Sequence, residues 1–425
     1  MKYKVEKITF KGLQHIMFTG DDGSPLTGNL TVNWANTYIE KDKSTNTVTS
    51  RTTEAKHLLF CLHHFMEKQI DVVNRVEAGK FFTSIEISQF ARYCFKKAKV
   101  VQQQANNNVI SLSTKDFISP AYQSATFADE RVCNNTAAAR MRCLKSYLVY
   151  LYKRLHTSFV NTDIYEKYKY TIRELTREIK KAKKENSTVV DIDKPIFDDD
   201  VLELLFQITQ VGHPDNPFKS AQLRNRVMLD TIYATGIRRG ALLQLKITDL
   251  RDENIERISI NKRVNHDDPR HHRPTQKTQS AQVAIEPEIL LHIKKYVNDE
   301  RAKYPESESH DFIFVAEWGE NAGRPLSISG FNYLFETLSG ALSNKLGRNI
   351  KINPHMLRHY WNMDFSERAE AAGLTNVETD RLRKQMMTWS QDSKMSEIYN
   401  IRATLKRVRK IKQNYQSQLF YTTEE

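Results

Sequence analysis

The hydrophobic period changes near residue 52, and that change limits the fold more than any other feature of the chain. Upstream, ITFKGLQHIMF and NLTVNWANTYI flank the turn-forming stretch TGDDGSPLTG and read as short strands around turns. Downstream, TTEAKHLLFCLHHFMEKQI carries apolar residues at helical spacing, opened by Thr52 or Thr53 as a cap. The same spacing continues through SIEISQFARYCFKKAKVV and through NNTAAARMRCLKSYLVYLYKRL, the latter behind Asn135 or Thr136. Strand patterning returns in ERISINKRV and AQVAIEP, two strands of a hairpin or small sheet, and FIFVAEW reads as a short buried strand or a helix start. The expected fold is mostly α with small β elements, an α+β chain.

At 425 residues the chain is long enough for two to three domains. Residues 1–50 are expected to form a small β-containing N-terminal region, an accessory module or a structural cap. Residues 51–158 read as a helical domain. Residues 159–195, containing RELTREIKKAKKENSTVVDIDKP, read as a charged, helix-containing linker, because so much charge leaves little to bury. Residues 196–412 form a second domain that opens at IFDDDVLELLFQI. Within it, AQLRNRVMLDTIYATGIRRGALLQLKITDL is expected to be two helices interrupted at Thr235-Gly236, where Gly supplies the stop. Residues 413–425 are a C-terminal tail.

No apolar run approaches the roughly 18 residues of a membrane span, and MKYKVEKITFKG lacks the features of a signal peptide. The expectation is a cytoplasmic protein with no membrane partner. Cys61, Cys94, Cys133 and Cys143 show no CxxC spacing and sit in apolar or mixed helical stretches, which points to reduced core thiols. Sixty-four Lys and Arg against 51 Asp and Glu leave a net charge of +13, which suits a polyanionic partner, nucleic acid first. In NNTAAARMRCLKSYLVYLYKRL, Met141, Leu144, Leu148 and Leu151 take one side, with Arg140, Arg142 and Lys145 largely elsewhere. That basic face suits a DNA backbone or is simply solvated.

INPHMLRHYW adds a sharper signal. Asn353 is a good N-cap and Pro354 favours the first helical position, so a helix starts here with its N–H groups facing outward, an end that attracts anions. His355 and Arg358 are three residues apart and share a face, converging on a phosphate or carboxylate; the alternative is a solvated helix start.

Three stretches then follow in order: ATGIRRGALLQL with Arg238, HMLRH with His355, Arg358 and His359, and MTWSQDSKMSEIYNI, where Tyr399 lies ten residues after Trp389. This series resembles the tyrosine recombinases, also called phage integrases. The resemblance covers about residues 196 to 412, and 51–158 is similar in pattern and position to the family's helical core DNA-binding domain. It implies a catalytic domain that, with the helical one, clamps duplex DNA, and an enzyme that breaks and rejoins strands through a covalent 3′-phosphotyrosine. Arg238 and Arg358 would hold the phosphate oxygens, since guanidinium stays charged and presents a planar fork. Tyr399 would be the nucleophile, His355 would serve proton transfer, and Trp389 would give an N–H to the phosphate. The hairpin lysine would be Lys277, with Lys262 as the fallback. Arg239 and His359 are further DNA-facing candidates. Where many members carry an acidic residue three positions after the first Arg, this chain has Ala241, and Trp389 to Tyr399 is one residue longer than the commonest spacing.

No cofactor is implied and no metal is required, since the Arg pair takes the part metals have in other phosphoryl transfers. HDDPRHH offers His266, Asp267, Asp268, His271 and His272 as metal-like ligands, but reads rather as a mobile hairpin loop near DNA. Leu405, Val408 and Ile411 form a helical stripe in the tail, either a surface for a neighbouring subunit or internal packing. The expected protein is a site-specific recombinase, an integrase of a mobile element, nucleoid-associated when bound to its double-stranded sites. It would be a monomer or weak oligomer when free and a homo-tetramer on paired sites, with DNA-bending proteins as possible accessories. The alternatives are a type IB topoisomerase-like enzyme and a non-catalytic DNA-binding regulator of the same fold.

Overall fold

The computed structural model describes residues 3–20, 22–24, 29–98, 101, 131–156, 161–184, 199–250, 256–263, 267–276, 279–387, 389–393, 396, 408 and 412. The chain divides into two compact units, residues 1–189 and 190–425, each with its own apolar core. Among the described residues no helix is long and apolar enough to cross a membrane.

The first unit opens with an antiparallel hairpin, β1 (Tyr3–Phe10) and β2 (Leu13–Gly20), with Phe10 opposite Leu13. Lys11 and Gly12 both hold positive φ, 48° and 75°, the two-residue turn whose twist matches that of the strands. NLTVNWANTYI, expected as a strand, is instead helix α1 (Leu30–Thr37) followed by one π turn at Tyr38–Asp42. Asn29 caps it by accepting from the Val32 amide, and Val32, Ala35, Tyr38 and Ile39 recur at three- and four-residue steps to bury one face. Ile16 and Phe18 of β2 join the same core as the helices that follow, so residues 1–50 are not a separate module.

Helix α2 (Val48–Glu67) starts earlier than expected because Thr47 caps it, accepting from the Ser50 amide at 3.3 Å. Thr52 and Thr53 lie within the helix and donate back to the carbonyls of Val48 and Thr49. Helices α3 (Val72–Glu77) and α4 (Ser84–Cys94) follow, the second behind a capping box of Thr83 and Glu86. Helix α5 (Asn134–Leu155) has Cys133 at its N-cap position, so neither Asn135 nor Thr136 is the cap; the Cys133 thiol caps no backbone amide and meets the Thr136 hydroxyl at 3.2 Å. Cys61, Cys94 and Cys143 are buried free thiols, whereas Cys133 is exposed, against the expectation that all four lie in the core.

The stretch expected as a linker contains helix α6 (Thr162–Lys184), which packs along α5. Leu175, Ile179 and Ala182 enter the first unit's core, and the Thr171 hydroxyl accepts from the Phe82 amide and donates to the Phe82 carbonyl. Its charges lie on the outer face, where Lys167 pairs with Asp163 and Lys181 with Glu178. One apolar residue every three or four suffices to bury a helix, however charged its other faces are.

The second unit comprises α7 (Asp199–Ile208), α8 (Gln222–Thr235), α9 (Arg239–Leu242), β3 (Arg257–Ile260), β4 (Ala281–Ala284), α10 (Pro287–Lys295), α11 (Ile328–Leu346), α12 (Pro354–Ala371) and α13 (Asn376–Met386). Strands β3 and β4 pair antiparallel, Arg257 opposite Ala284 and Ile260 opposite Ala281, as expected for a hairpin. Buried Asp249 fastens the far end of β3, accepting from both terminal nitrogens of Arg263 at 2.7 and 2.5 Å and from Asn261 at 2.7 Å. Phe312, Ile313, Phe314 and Val315 are buried without forming a strand or helix, bridging only to Lys246 and Pro325. Helix α12 packs against both α8 and α13, which brings three stretches distant in sequence to one place. In the tail, Val408 is partly exposed; Leu405, Ile411 and residues 413–425 lie outside the described residues.

Candidate active site

The site is built on the break between α8 and α9. Gly236 holds φ +62° and ends α8, its amide bonding the Ile232 carbonyl at 2.8 Å, a left-handed cap that favours glycine. Space demands glycine as well: a Cβ there would lie 2.7 Å from Met387 Cε and 3.1 Å from the Trp361 indole. Two residues on, the backbone at Arg238 is extended and opens α9. Arg358 reaches this break from α12 and donates its Nη1 to the Gly236 carbonyl. Arg358 is 3% exposed, so the guanidinium is set by the core. Arg238, Arg358, Ala241 and Met387 line one recess at the break.

Helix α12 starts as expected, with Pro354 in its first turn and Asn353 as its cap. The Asn353 side-chain Oδ1 accepts from the amides of His355 and Met356 at 3.0 and 3.1 Å. Those N–H groups are therefore occupied by the cap, and the cationic side chains provide the attraction for an anion. Burial first, and then the charges of Arg358 and Arg238, hold the His355 imidazole below its ordinary value. His359 stacks edge-on against it, ring centroids 4.1 Å apart.

Trp389 is buried with Met387 and Trp361, and the Arg358 guanidinium lies 5.7 Å from its ring. Lys262 is exposed beside the hairpin, its amide bonded to the Ser280 hydroxyl at 2.9 Å. Lys277 and Tyr399 lie outside the described residues. Arg238, His355, Arg358 and Trp389 are thus brought to one neighbourhood by the α8–α9 break, by α12 and by the end of α13.

The loop between β3 and β4 overturns one expectation. HDDPRHH is not a mobile loop at its centre: Asp268 and Arg270 are 1% and 7% exposed. They form a two-pronged ion pair, Nη2 to Oδ2 at 2.8 Å and Nε to Oδ1 at 2.9 Å. Arg270 also donates to the carbonyls of Leu243 and Leu326, each at 3.0 Å. The pair spends its bonding capacity on this fold, so Asp268 is no metal ligand. His271 and His272 are exposed and His266 lies outside the described residues; among the described residues no cluster of His, Cys, Asp or Glu is placed to hold a metal.

Beyond that pair the chain passes against α9. Gln244 donates to the Pro274 carbonyl at 2.5 Å, and Gly240 lies so close that a Cβ would meet the Thr275 carbonyl oxygen at 2.2 Å. Gly240 was missed in the motif, although a glycine directly after two arginines at a helix start is a visible signal for close approach. Trp361 was missed too; its indole N–H bonds the Ala234 carbonyl at 2.9 Å and packs on Gly236.

Of the residues proposed to meet DNA from the first unit, Arg140 is placed otherwise. It is 6% exposed, donates to the carbonyls of Cys94 and Lys96 at 2.7 and 2.6 Å, and lies 3.6 Å over the Phe60 ring. A buried arginine is stabilised by donating to such carbonyls, and this one makes those bonds inside the first unit. Arg142 is exposed, and Lys145 reaches the Thr176 hydroxyl of α6 at 2.8 Å. In the second unit Arg239 is exposed and donates to Asn332 at 2.8 Å.

Fold and cluster together define an α+β protein whose second unit gathers Arg238, Arg358 and His355 in one neighbourhood. The sequence model of the phage integrase family matches residues 196–400, which spans this cluster. Those residues match the family also called the tyrosine recombinases. It is 29% identical to tyrosine recombinase XerD of Halalkalibacterium halodurans over 151 residues, 32% of this chain and 38% of that protein. It is 26% identical to tyrosine recombinase XerC of Listeria monocytogenes over 253 residues, 57% of this chain and 69% of that one. Among solved structures, a XerH site-specific recombinase bound to its difH substrate aligns over 86% of this chain and 90% of its own, with 16% identity and a TM-score of 0.37. A lambda integrase dimer bound to a core site aligns over 86% and 76%, with 10% identity and a TM-score of 0.45.

Proposed function

We propose that the protein is a site-specific DNA recombinase that cleaves and rejoins strands through a 3′-phosphotyrosine, and that it serves a mobile element as its integrase. The observation that carries this reading is the convergence of Arg238 and Arg358 on one recess with His355 beside them. Attack on a phosphodiester concentrates negative charge on the non-bridging oxygens, and two preorganised guanidiniums stabilise it most where it develops. Tyr399 Oη attacks phosphorus and loses its proton; the bond from phosphorus to the 5′-oxygen breaks, and that oxygen gains a proton. His355 and Lys277 handle these protons, while Trp389 packs beside the phosphate-binding Arg358. Rejoining reverses the step with a 5′-hydroxyl as nucleophile, so the phosphotyrosine conserves the bond without ATP.

Double-stranded recombination sites are the partner, with a homo-tetramer assembled on two of them. The net charge of +13 supports a polyanionic partner, and Arg142, Arg239 and His359 remain DNA-facing candidates. The test is covalent trapping. Nicked suicide substrates carrying the element's ends are incubated with the protein and with Tyr399→Phe, then resolved on a denaturing gel. The expected result is a protein–DNA adduct absent from the variant, followed by strand exchange between two sites. Tight DNA binding without an adduct overturns the catalytic reading in favour of a DNA-binding regulator. An adduct with relaxation of supercoils but no exchange favours the topoisomerase-like enzyme.

A further inference from the structure

Among the described residues, Arg383 of α13 is the largest fully buried side chain, at 0% exposure. A buried guanidinium is costly unless its donors are used, and this one uses them to join segments remote in sequence. Its Nη2 donates to the Ser366 hydroxyl of α12 at 2.5 Å, and its Nη1 to the backbone carbonyl of Ser396 at 3.4 Å. The Phe365 ring lies 5.5 Å from the guanidinium centre. From Ser366 the polar line continues along α12: its hydroxyl donates to the Asn362 carbonyl at 3.0 Å, and the fully buried Asn362 amide donates to the Arg358 carbonyl at 2.8 Å. Ser396 is itself fully buried and precedes Tyr399 by three residues.

We propose that Arg383 is a positioning residue for strand cleavage: it fastens the Ser396 backbone to α12, so that Tyr399 is presented to the phosphate held by Arg358. The inference rests on the recombinase reading above and deepens it. The planar fork of arginine suits two acceptors on separate segments, which an ammonium cannot span in the same way. Arg383 is fully buried and offers DNA no surface, so its loss is expected to act on the chemical step.

The experiment compares the full-length protein with Arg383→Met, Arg383→Lys and Ser366→Ala. Single-turnover adduct formation on the nicked suicide substrate is measured at saturating DNA, with affinity measured separately by fluorescence anisotropy. Arg383→Met is expected to slow cleavage by roughly 10²-fold, the scale of a 1 Å misplacement of a reacting group, with unchanged affinity. Arg383→Lys is expected to recover part of the rate. A wild-type cleavage rate in Arg383→Met overturns the proposal, as does a rate loss matched by an equal loss of affinity. Should Arg383→Met fail to fold, Ser366→Ala decides: slower cleavage with unchanged affinity supports the proposal, and a wild-type rate overturns it. Absence of an adduct from the wild-type protein is a different result, which removes the recombinase reading and this inference together.

Discussion

Replacing Gly240 by alanine is the most direct probe of how the β3–β4 loop is set against the arginine cluster. The added Cβ would stand 2.2 Å from the Thr275 carbonyl oxygen and 3.1 Å from its carbon, where ordinary contact begins at 3.4 Å. The contact is with backbone, so no side chain can rotate away. The loop cannot swing aside freely either, because Gln244 holds the Pro274 carbonyl and Arg270 holds those of Leu243 and Leu326. Either α9, which opens at Arg238, or the loop that leads to Lys277 must move by roughly 1 Å, a shift able to cost about 10²-fold in rate. Overpacking of this kind also destabilises by about 1–3 kcal/mol. Adduct formation on a suicide substrate and thermal unfolding measure the two effects. Gly340→Ala is the control: the glycine lies within α11, a Cβ there would meet nothing within 4 Å, and the substitution should stabilise by about 0.5–1 kcal/mol. Wild-type cleavage and an unchanged melting temperature in Gly240→Ala would refute the close-approach argument.

Arg270→Met leaves Asp268 buried without its ion partner and should cost about 3–5 kcal/mol, read by urea unfolding; a loss below 1 kcal/mol would mean that the loop relaxes and is not pinned. Arg140→Met should lower the melting temperature while leaving DNA affinity and its salt dependence unchanged, because the side chain bonds carbonyls inside the first unit; a shallower salt slope would place it on DNA after all. His64 is pushed down to about 4, chiefly by burial and then by Lys68 and Lys96. The unfolded chain, with its imidazole near 6.5, therefore binds more protons than the native one between pH 6.5 and 4. Stability should fall as pH drops through that window, and His64→Phe should flatten the fall in a pH series of unfolding midpoints.

Much of the catalytic unit was legible in order along the chain. Gly236 ended a helix because its left-handed conformation follows from local backbone sterics, and Asn353-Pro354 began one because capping is local chemistry. The β3–β4 hairpin announced itself by its residue types. The first unit was harder to read where two signals competed. NLTVNWANTYI offered β-favouring residues and a helical cap together, and the cap with its three- and four-residue burial period prevailed. The α6 stretch looked like a linker because averaged charge conceals a single apolar stripe.

The sequence by itself determined the succession of helices, the cationic residues near Gly236 and Asn353, and their resemblance to the tyrosine recombinases, since each depends on neighbours within a few positions. Only the tertiary structure decided which guanidiniums are buried in the fold and which stay at its surface. Arg140, Arg270 and Arg383 look no different in the sequence from Arg142 and Arg239, yet the first three are buried against carbonyls, a carboxylate and a hydroxyl of the fold while Arg142 and Arg239 are exposed. Burial of a guanidinium depends on acceptors contributed by remote segments, such as Leu326 for Arg270 and Ser366 and Ser396 for Arg383, and no local pattern encodes where those segments will meet.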